Sequence, residues 1–144
     1  MPKNIIADTG FWIALFNERD QHHADALRIE CSLEHFNLVI PWPTLYETIN
    51  TRFAKRAKWR QGLKVYLDKS NTLKIDDAPY KDRAIEEVIT PLSKRYFSAV
   101  DFIIRSILED PNVKTDALIT FNEADFSDVC YGNGIELVSR QQAR

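Results

Sequence analysis

The chain has 144 residues, of which 44% are hydrophobic and 28% charged, with a formal net charge of −2. That is apolar material for the core of one domain, over 1–144, and too much for a disordered chain. The acidic balance gives no global reason to bind nucleic acid, so any such binding has to come from a local patch.

Residues 4–8 (Asn-Ile-Ile-Ala-Asp) read as a short buried strand ending in a carboxylate, and 9–18 as a helix carrying Phe11, Trp12, Leu15 and Phe16. Asp20 is expected to cap the next helix, which runs through His23, Ala26, Leu27 and Leu33. A second strand covers 37–41. Pro43 stands where a first helical turn tolerates it, and that helix is expected to continue to about Arg56. A further helix covers roughly 58–69, and 72–75 forms a third strand. Pro79 opens a helix towards Tyr96 that Pro91 kinks or ends. Ser98 starts a helix to Glu109. Residues 117–120 form a fourth strand, followed by a short helix from Asn122, a Gly132-Asn133-Gly134 turn and a fifth strand over 135–138.

Strands and helices thus alternate, and the strands are apolar runs without polar alternation. That pattern predicts an open parallel α/β sheet covered on both faces. No repeat or linker divides the chain. No apolar run reaches the ~20 residues of a membrane-spanning helix, and Met1-Pro2-Lys3-Asn4 does not open a signal peptide. Cys31 and Cys130 form no CxxC pair and are expected to be buried free thiols in a reducing cytoplasm.

In such sheets ligands bind outside the carboxyl ends of the strands, where the strand order reverses. The sequence sends four acids there: Asp8 after the first strand, Glu47 on the helix after the second, Asp101 on the helix before the fourth, and Asp125 shortly beyond Thr120 and Asn122. Each has an ordinary explanation. Asp8 could cap the helix from Thr9, Ser98 to Asp101 fits a capping box, and Asn122 with Asp125 could cap a short helix. Glu47 lies off the Leu45, Ile49 and Phe53 seam with no base at i+4, and Asn50, one turn on, could hold its carboxylate. Their coincidence argues otherwise. Clustered carboxylates raise one another's pKa, and a fold accumulates them where a cation compensates. Hard oxygen ligands without a Cys or His cluster point to magnesium or manganese.

Asp8-Thr9, Glu47 on the third helix, Ser98-Ala99-Val100-Asp101-Phe102-Ile103 and Thr120-Phe121-Asn122-Glu123-Ala124-Asp125-Phe126 together resemble a PIN domain, and within it the small bacterial toxins of the VapC type. The resemblance covers essentially the whole chain, with its motifs in order and at the right intervals. It implies a PIN-like three-layer sandwich with a central parallel sheet of about five strands. It implies an Mg2+- or Mn2+-dependent endoribonuclease, holding one or two ions, that hydrolyses RNA phosphodiester bonds. Asp8, Glu47 and Asp101 would be the core metal ligands and catalytic acids. Many members carry Asp where this chain has Asn122. Here Asp125 is taken as the fourth acid and Asn122 as its neutral neighbour, so a second ion is expected only with help from substrate phosphate. Thr9 or Thr120 would donate a hydrogen bond to a phosphate oxygen. The resemblance also implies a cytoplasmic homodimer, and a small antitoxin that blocks the acidic pocket with an Arg or Lys side chain.

Arg52, Lys55, Arg56, Lys58, Arg60 and Lys64 put six bases and no acid into 13 positions, with Phe53 and Trp59 interleaved. That is either a path for an RNA backbone with a stacking platform or a solvated helix corner. His22-His23 point different ways on a helix and fit a helix start better than a shared ion. Asp8-Thr9-Gly10 matches the aspartic protease triplet but leads into a helix, and no GxGxxG or P-loop is present. The rival reading is a PIN-fold RNA-binding or protein-interaction module without activity. Its expected mark is the loss of Asp8, Glu47 or Asp101, and all three are present. A metal-dependent phosphatase or DNA nuclease would use the same carboxylates.

Overall fold

A computed structural model describes residues 2–139. Five strands, β1 (Lys3–Ala7), β2 (Phe36–Pro41), β3 (Thr72–Ile75), β4 (Ala117–Ile119) and β5 (Glu136–Val138), form one parallel sheet in the order β3-β2-β1-β4-β5. Ile5 of the central strand pairs with Leu38 on one side and Ala117 on the other. The chain winds outward from β1 to β3, then returns to build β4 and β5 on the opposite flank. The order therefore reverses between β1 and β4, where a parallel sheet opens its ligand crevice.

Successive strand residues point to opposite faces, and the core divides accordingly. Ile5, Ala7, Leu38, Ile40, Ala117 and Ile119 face α1 (Thr9–Phe16), α2 (His23–Glu30), α3 (Trp42–Thr48), α4 (Thr51–Ala54) and α5 (Ala57–Leu67). Ile6, Val39 and Leu118 face α6 (Lys81–Ile89), α7 (Ala99–Glu109) and α8 (Ser127–Gly132). The first layer is rich in aromatics, with Phe11, Trp12 and Phe53 fully buried. The second is mainly aliphatic and is filled by Ile103, Ile104, Ile107 and Leu108 along one side of α7. This is the three-layer α/β arrangement that the sequence predicts.

Several local expectations change. The helix from Pro43 does not reach Arg56. The Thr48 hydroxyl bonds back to the Thr44 carbonyl at 2.7 Å, a competitor for helical geometry, and Asn50 starts α4 by accepting from the Phe53 N–H at 3.2 Å. Asp20 accepts from the His22 N–H at 2.8 Å, one position before the helix proper, and α2 ends at Glu30, leaving Leu33 in a 3-10 turn, Leu33–His35. The helix after Pro79 stops at Ile89, with Thr90 leaving helical geometry, as the residue before a proline tends to do. β3 is an edge strand and only partly buried. Cys31 is exposed at the end of α2, against expectation, because the helix stops there and turns it outward. Cys130 is buried, and burial pushes its thiol up to about 11. No helix among the described residues is long and apolar enough to cross a membrane.

Candidate active site

Asp8 leaves β1 at the point of strand-order reversal. Its backbone N–H continues the sheet ladder by donating to the Ile119 carbonyl at 2.9 Å. Its side chain is 7% exposed, and both carboxylate oxygens are engaged. The Thr9 N–H donates to Oδ1 at 2.7 Å, capping α1, and the Thr120 hydroxyl donates to Oδ2 at 3.1 Å. Thr120 is itself fully buried, and its Oγ1 accepts from the Asn122 N–H at 3.0 Å. The helix-cap explanation of Asp8 and its place at the crevice are thus both true of one side chain.

Burial pushes the Asp8 carboxyl above its ordinary value. The hydrogen bonds from Thr9 and Thr120 oppose that shift, and the charges of Glu47 and Asp125 add to it. Asp101 sits in the first turn of α7, where Ser98 accepts from its backbone N–H at 3.1 Å. Burial pushes its carboxyl up to about 6, helped by the charges of Asp8, Asp125 and Glu47 and opposed by a hydrogen bond with Ser98. Asp8 and Asp101 thus both feel the charges of Glu47 and Asp125. Glu47 is exposed on α3. Asn50 reaches its backbone carbonyl at 3.2 Å rather than its carboxylate, so the expected support for that carboxylate is absent among the described hydrogen bonds. Asp125 lies in a 3-10 turn, Glu123–Asp125, and accepts from the Asn122 amide at 2.5 Å.

Two further observations bear on a cation. The Thr9 hydroxyl beside Asp8 is buried and has no hydrogen-bond partner among the described residues, which leaves a donor for a phosphate oxygen or a bound water. Among the described residues no three His, Cys, Asp or Glu side chains form a group that could hold a metal ion. Asp8 and Asp101 nonetheless both feel the charges of Glu47 and Asp125. A hard divalent ion held there would have to keep several waters and borrow ligands from a phosphate.

Sequence reasoning missed Arg105 and Asp128. Arg105, one turn beyond Asp101 on α7, donates through Nη1 to the Asp125 carbonyl at 2.6 Å and to Asp128 Oδ1 at 2.8 Å, and through Nη2 to Asp128 Oδ2 at 2.8 Å. Arg95 adds a bond to Asp128 Oδ2 at 3.2 Å and one to the Ala124 carbonyl. Both guanidinium groups lie over the Phe97 ring, at 4.8 and 4.5 Å from its centre. The available signal was a base four residues after Asp101 and an acid three residues after Asp125.

The six bases of α4, α5 and the turn between them are all exposed. Lys64 pairs with Asp68 at 2.6 Å, Arg60 donates to the Ala54 carbonyl, and Arg56 lies over the Trp59 ring at 5.5 Å. Phe53 is 1% exposed and cannot serve as a stacking platform. Of the two aromatics, only the partly buried Trp59 remains available. His22 precedes α2 and stacks on Phe121 at 4.5 Å, while His23 Nδ1 lies 2.7 Å from the Ala14 carbonyl, so the two rings diverge as expected. A cavity of about 640 Å3 opens beside Arg95 and Arg105, among Tyr80, Arg83, Phe97 and Phe102, and none of the four acids lines it.

No family model matches the chain, and no curated protein matches it either. Solved structures do. The chain is similar to VapC20 of Mycobacterium tuberculosis, a sarcin-ricin loop cleaving toxin, at 20% identity over 86% of this chain and 94% of that one, with a TM-score of 0.65. It is also similar to VapBC2 from Rickettsia felis, solved bound to a DNA fragment from their promoter, at 19% identity over 94% of this chain and 98% of that one, with a TM-score of 0.58. With its five-stranded parallel sheet between two helical layers, the chain has the PIN-like α/β fold of these VapC structures.

Proposed function

We propose that the chain is a divalent-metal-dependent endoribonuclease, the toxin of a toxin–antitoxin pair. The observation that carries this reading is the placement of Asp8 at the strand-order reversal with Asp101 close enough to feel it, where burial, aided by the charges of Asp8, Asp125 and Glu47, pushes Asp101 up to about 6. The fold shared with a sarcin-ricin loop cleaving toxin supports RNA as the substrate class.

Asp8, Glu47 and Asp101 would hold Mg2+ or Mn2+, with Asp125 available to a second ion. Such an ion, when bound, lowers the pKa of its water and neutralises charge on a phosphoryl transition state. The protein's own contribution is placement. Thr120 and the Thr9 N–H fix the Asp8 carboxylate, Asn122 holds that of Asp125, and the Thr9 hydroxyl is free to donate to a phosphate oxygen. Arg52, Lys55, Arg56 and Lys58 supply cations for the RNA backbone, with Trp59 beside them for stacking. An antitoxin would insert a cationic side chain among the acids, and the toxin would act in the cytoplasm as a homodimer.

The deciding experiment is cleavage of a mixed RNA pool, with DNA and a small phosphate ester in parallel, by wild type and Asp8→Asn. Each is assayed with Mn2+, with Mg2+ and with EDTA. Cleavage of RNA by wild type that EDTA and Asp8→Asn both abolish is the expected result. Equal inertness of both proteins, with no Mn2+ uptake by calorimetry, overturns the reading in favour of a binding module. The Asn122 amide in place of a further acid, and the lack of a three-ligand group among the described residues, are the observations on that side.

A further inference from the structure

Asp101 and Asp125 belong to different elements. Asp101 is fixed in the first turn of α7, whereas Asp125 stands in a 3-10 turn after β4. For Asp125 to serve beside the ion that Asp101 would hold, whether through a water or a second ion, something must set the turn against the helix. Arg105 is built for this. Its side chain is only 15% exposed, and its planar fork reaches the backbone of Asp125 and both oxygens of Asp128 at once. A two-pronged bond of this kind fixes direction as well as distance. Arg95 closes the same group from the other side through the Ala124 carbonyl and Asp128, and Phe97 lies against both guanidinium planes. Residues 124, 125 and 128 are thus all tied to cations anchored outside their own segment.

Asp128 accepts from both guanidinium groups, and its single negative charge offsets one of the two positive ones. Asp101 lies one helical turn from Arg105, which bonds to Asp128 and to the Asp125 carbonyl. We infer that Arg105 and Asp128 are positioning residues, a clamp that sets the separation of Asp125 from Asp101 and so determines how well the fourth carboxylate serves a bound ion. The inference rests on the metal-dependent reading above.

The test is Mn2+ affinity by calorimetry on the full chain, for wild type, Asp8→Asn, Arg105→Lys, Asp128→Asn, Asp125→Ala and the double variant Arg105→Lys/Asp125→Ala. Lysine keeps the charge but loses the fork. Arg105→Lys is expected to weaken Mn2+ binding about tenfold, the usual scale for a group that orients a ligand. In the Asp125→Ala background it should add less than about twofold, because the carboxylate through which it acts is gone. A merely stabilising arginine would cost the same factor in both backgrounds. Asp128→Asn removes the anchor from a half-exposed position and is expected to show the same dependence on Asp125, so a poorly folding Arg105→Lys does not end the test. Wild-type affinity in Arg105→Lys, or equal losses with and without Asp125, overturns the clamp while leaving the metal site standing. Wild type and Asp8→Asn that both fail to take up Mn2+ overturn the metal reading, and the clamp with it.

Discussion

Asp101 and Asp128 both meet α7, one within it and one across from it, and their surroundings treat them in opposite ways. Burial and three neighbouring anions push the Asp101 carboxyl up to about 6. The Arg105 guanidinium holds Asp128 well below the usual carboxylate range. The chain therefore has cations within reach of its acid cluster and directs them to another carboxylate. A protein that needed only a stable charge pattern would pair Asp101 too. Under the metal-dependent reading proposed above, the charge that compensates this cluster arrives from solution, and a stability cost is expected when it is absent.

The largest test of this contrast is Asp101→Asn. Cleavage should fall at least about 100-fold, or about 2.7 kcal/mol of activation free energy, while the metal-free protein becomes more stable. The direction follows from linkage. The folded-state value of about 6 lies above the ordinary carboxyl value of 3.8, so the folded chain holds that proton more tightly. The resulting stability is complete below about pH 4 and is lost as pH rises through 6. Burial shifts Asp8 in the same direction, whereas the lowered Asp128 and Asp110 titrate below that window. In EDTA, thermal denaturation of wild type should give a lower Tm at pH 8 than at pH 5, and Asp101→Asn should remove much of that slope. A wild-type Tm that climbs from pH 5 to 8 would contradict the repulsion argument.

A smaller effect is expected from Asn122→Asp, which replaces the amide donor on Asp125 with another anion. The metal-free Tm should fall, and Mn2+ affinity read by calorimetry should rise by about threefold, less than 1 kcal/mol. The least change is expected from Arg95→Ala. Its pair with Asp128 is close to half-exposed on both sides, so chemical denaturation should register less than about 1 kcal/mol while Arg105 remains in place. A loss well beyond that would move the weight of the clamp from Arg105 to Arg95.

The sheet was legible because its strands are short apolar runs, Ile5-Ile6-Ala7, Leu38-Val39-Ile40 and Ala117-Leu118-Ile119, each followed by polar residues at the carboxyl end. The placement of Asp8 and Asp101 followed from strand ends and a helix cap, which are local signals. What stayed hidden depends on partners distant in sequence. The bond from Arg105 to Asp128 spans 23 positions and has no local signature. Phe53 looked available for stacking beside Arg52 and Lys55, but the helix breaks at Ile49 and Asn50, which turns Phe53 into the aromatic layer. Cys31 looked buried because α2 was expected to run on to Leu33, and the helix ends one residue before it.

Asp8 and the hydroxyl that steadies it are 112 positions apart, and the central strand gains its second neighbour only when β4 pairs with it. During synthesis at about 5–20 residues per second, the interval between making the two is on the order of ten seconds. Throughout that time a growing chain carries its first carboxylate without the strand and the threonine that hold it in place. Asp8 is thus kept without its partners while most of the polypeptide is being made.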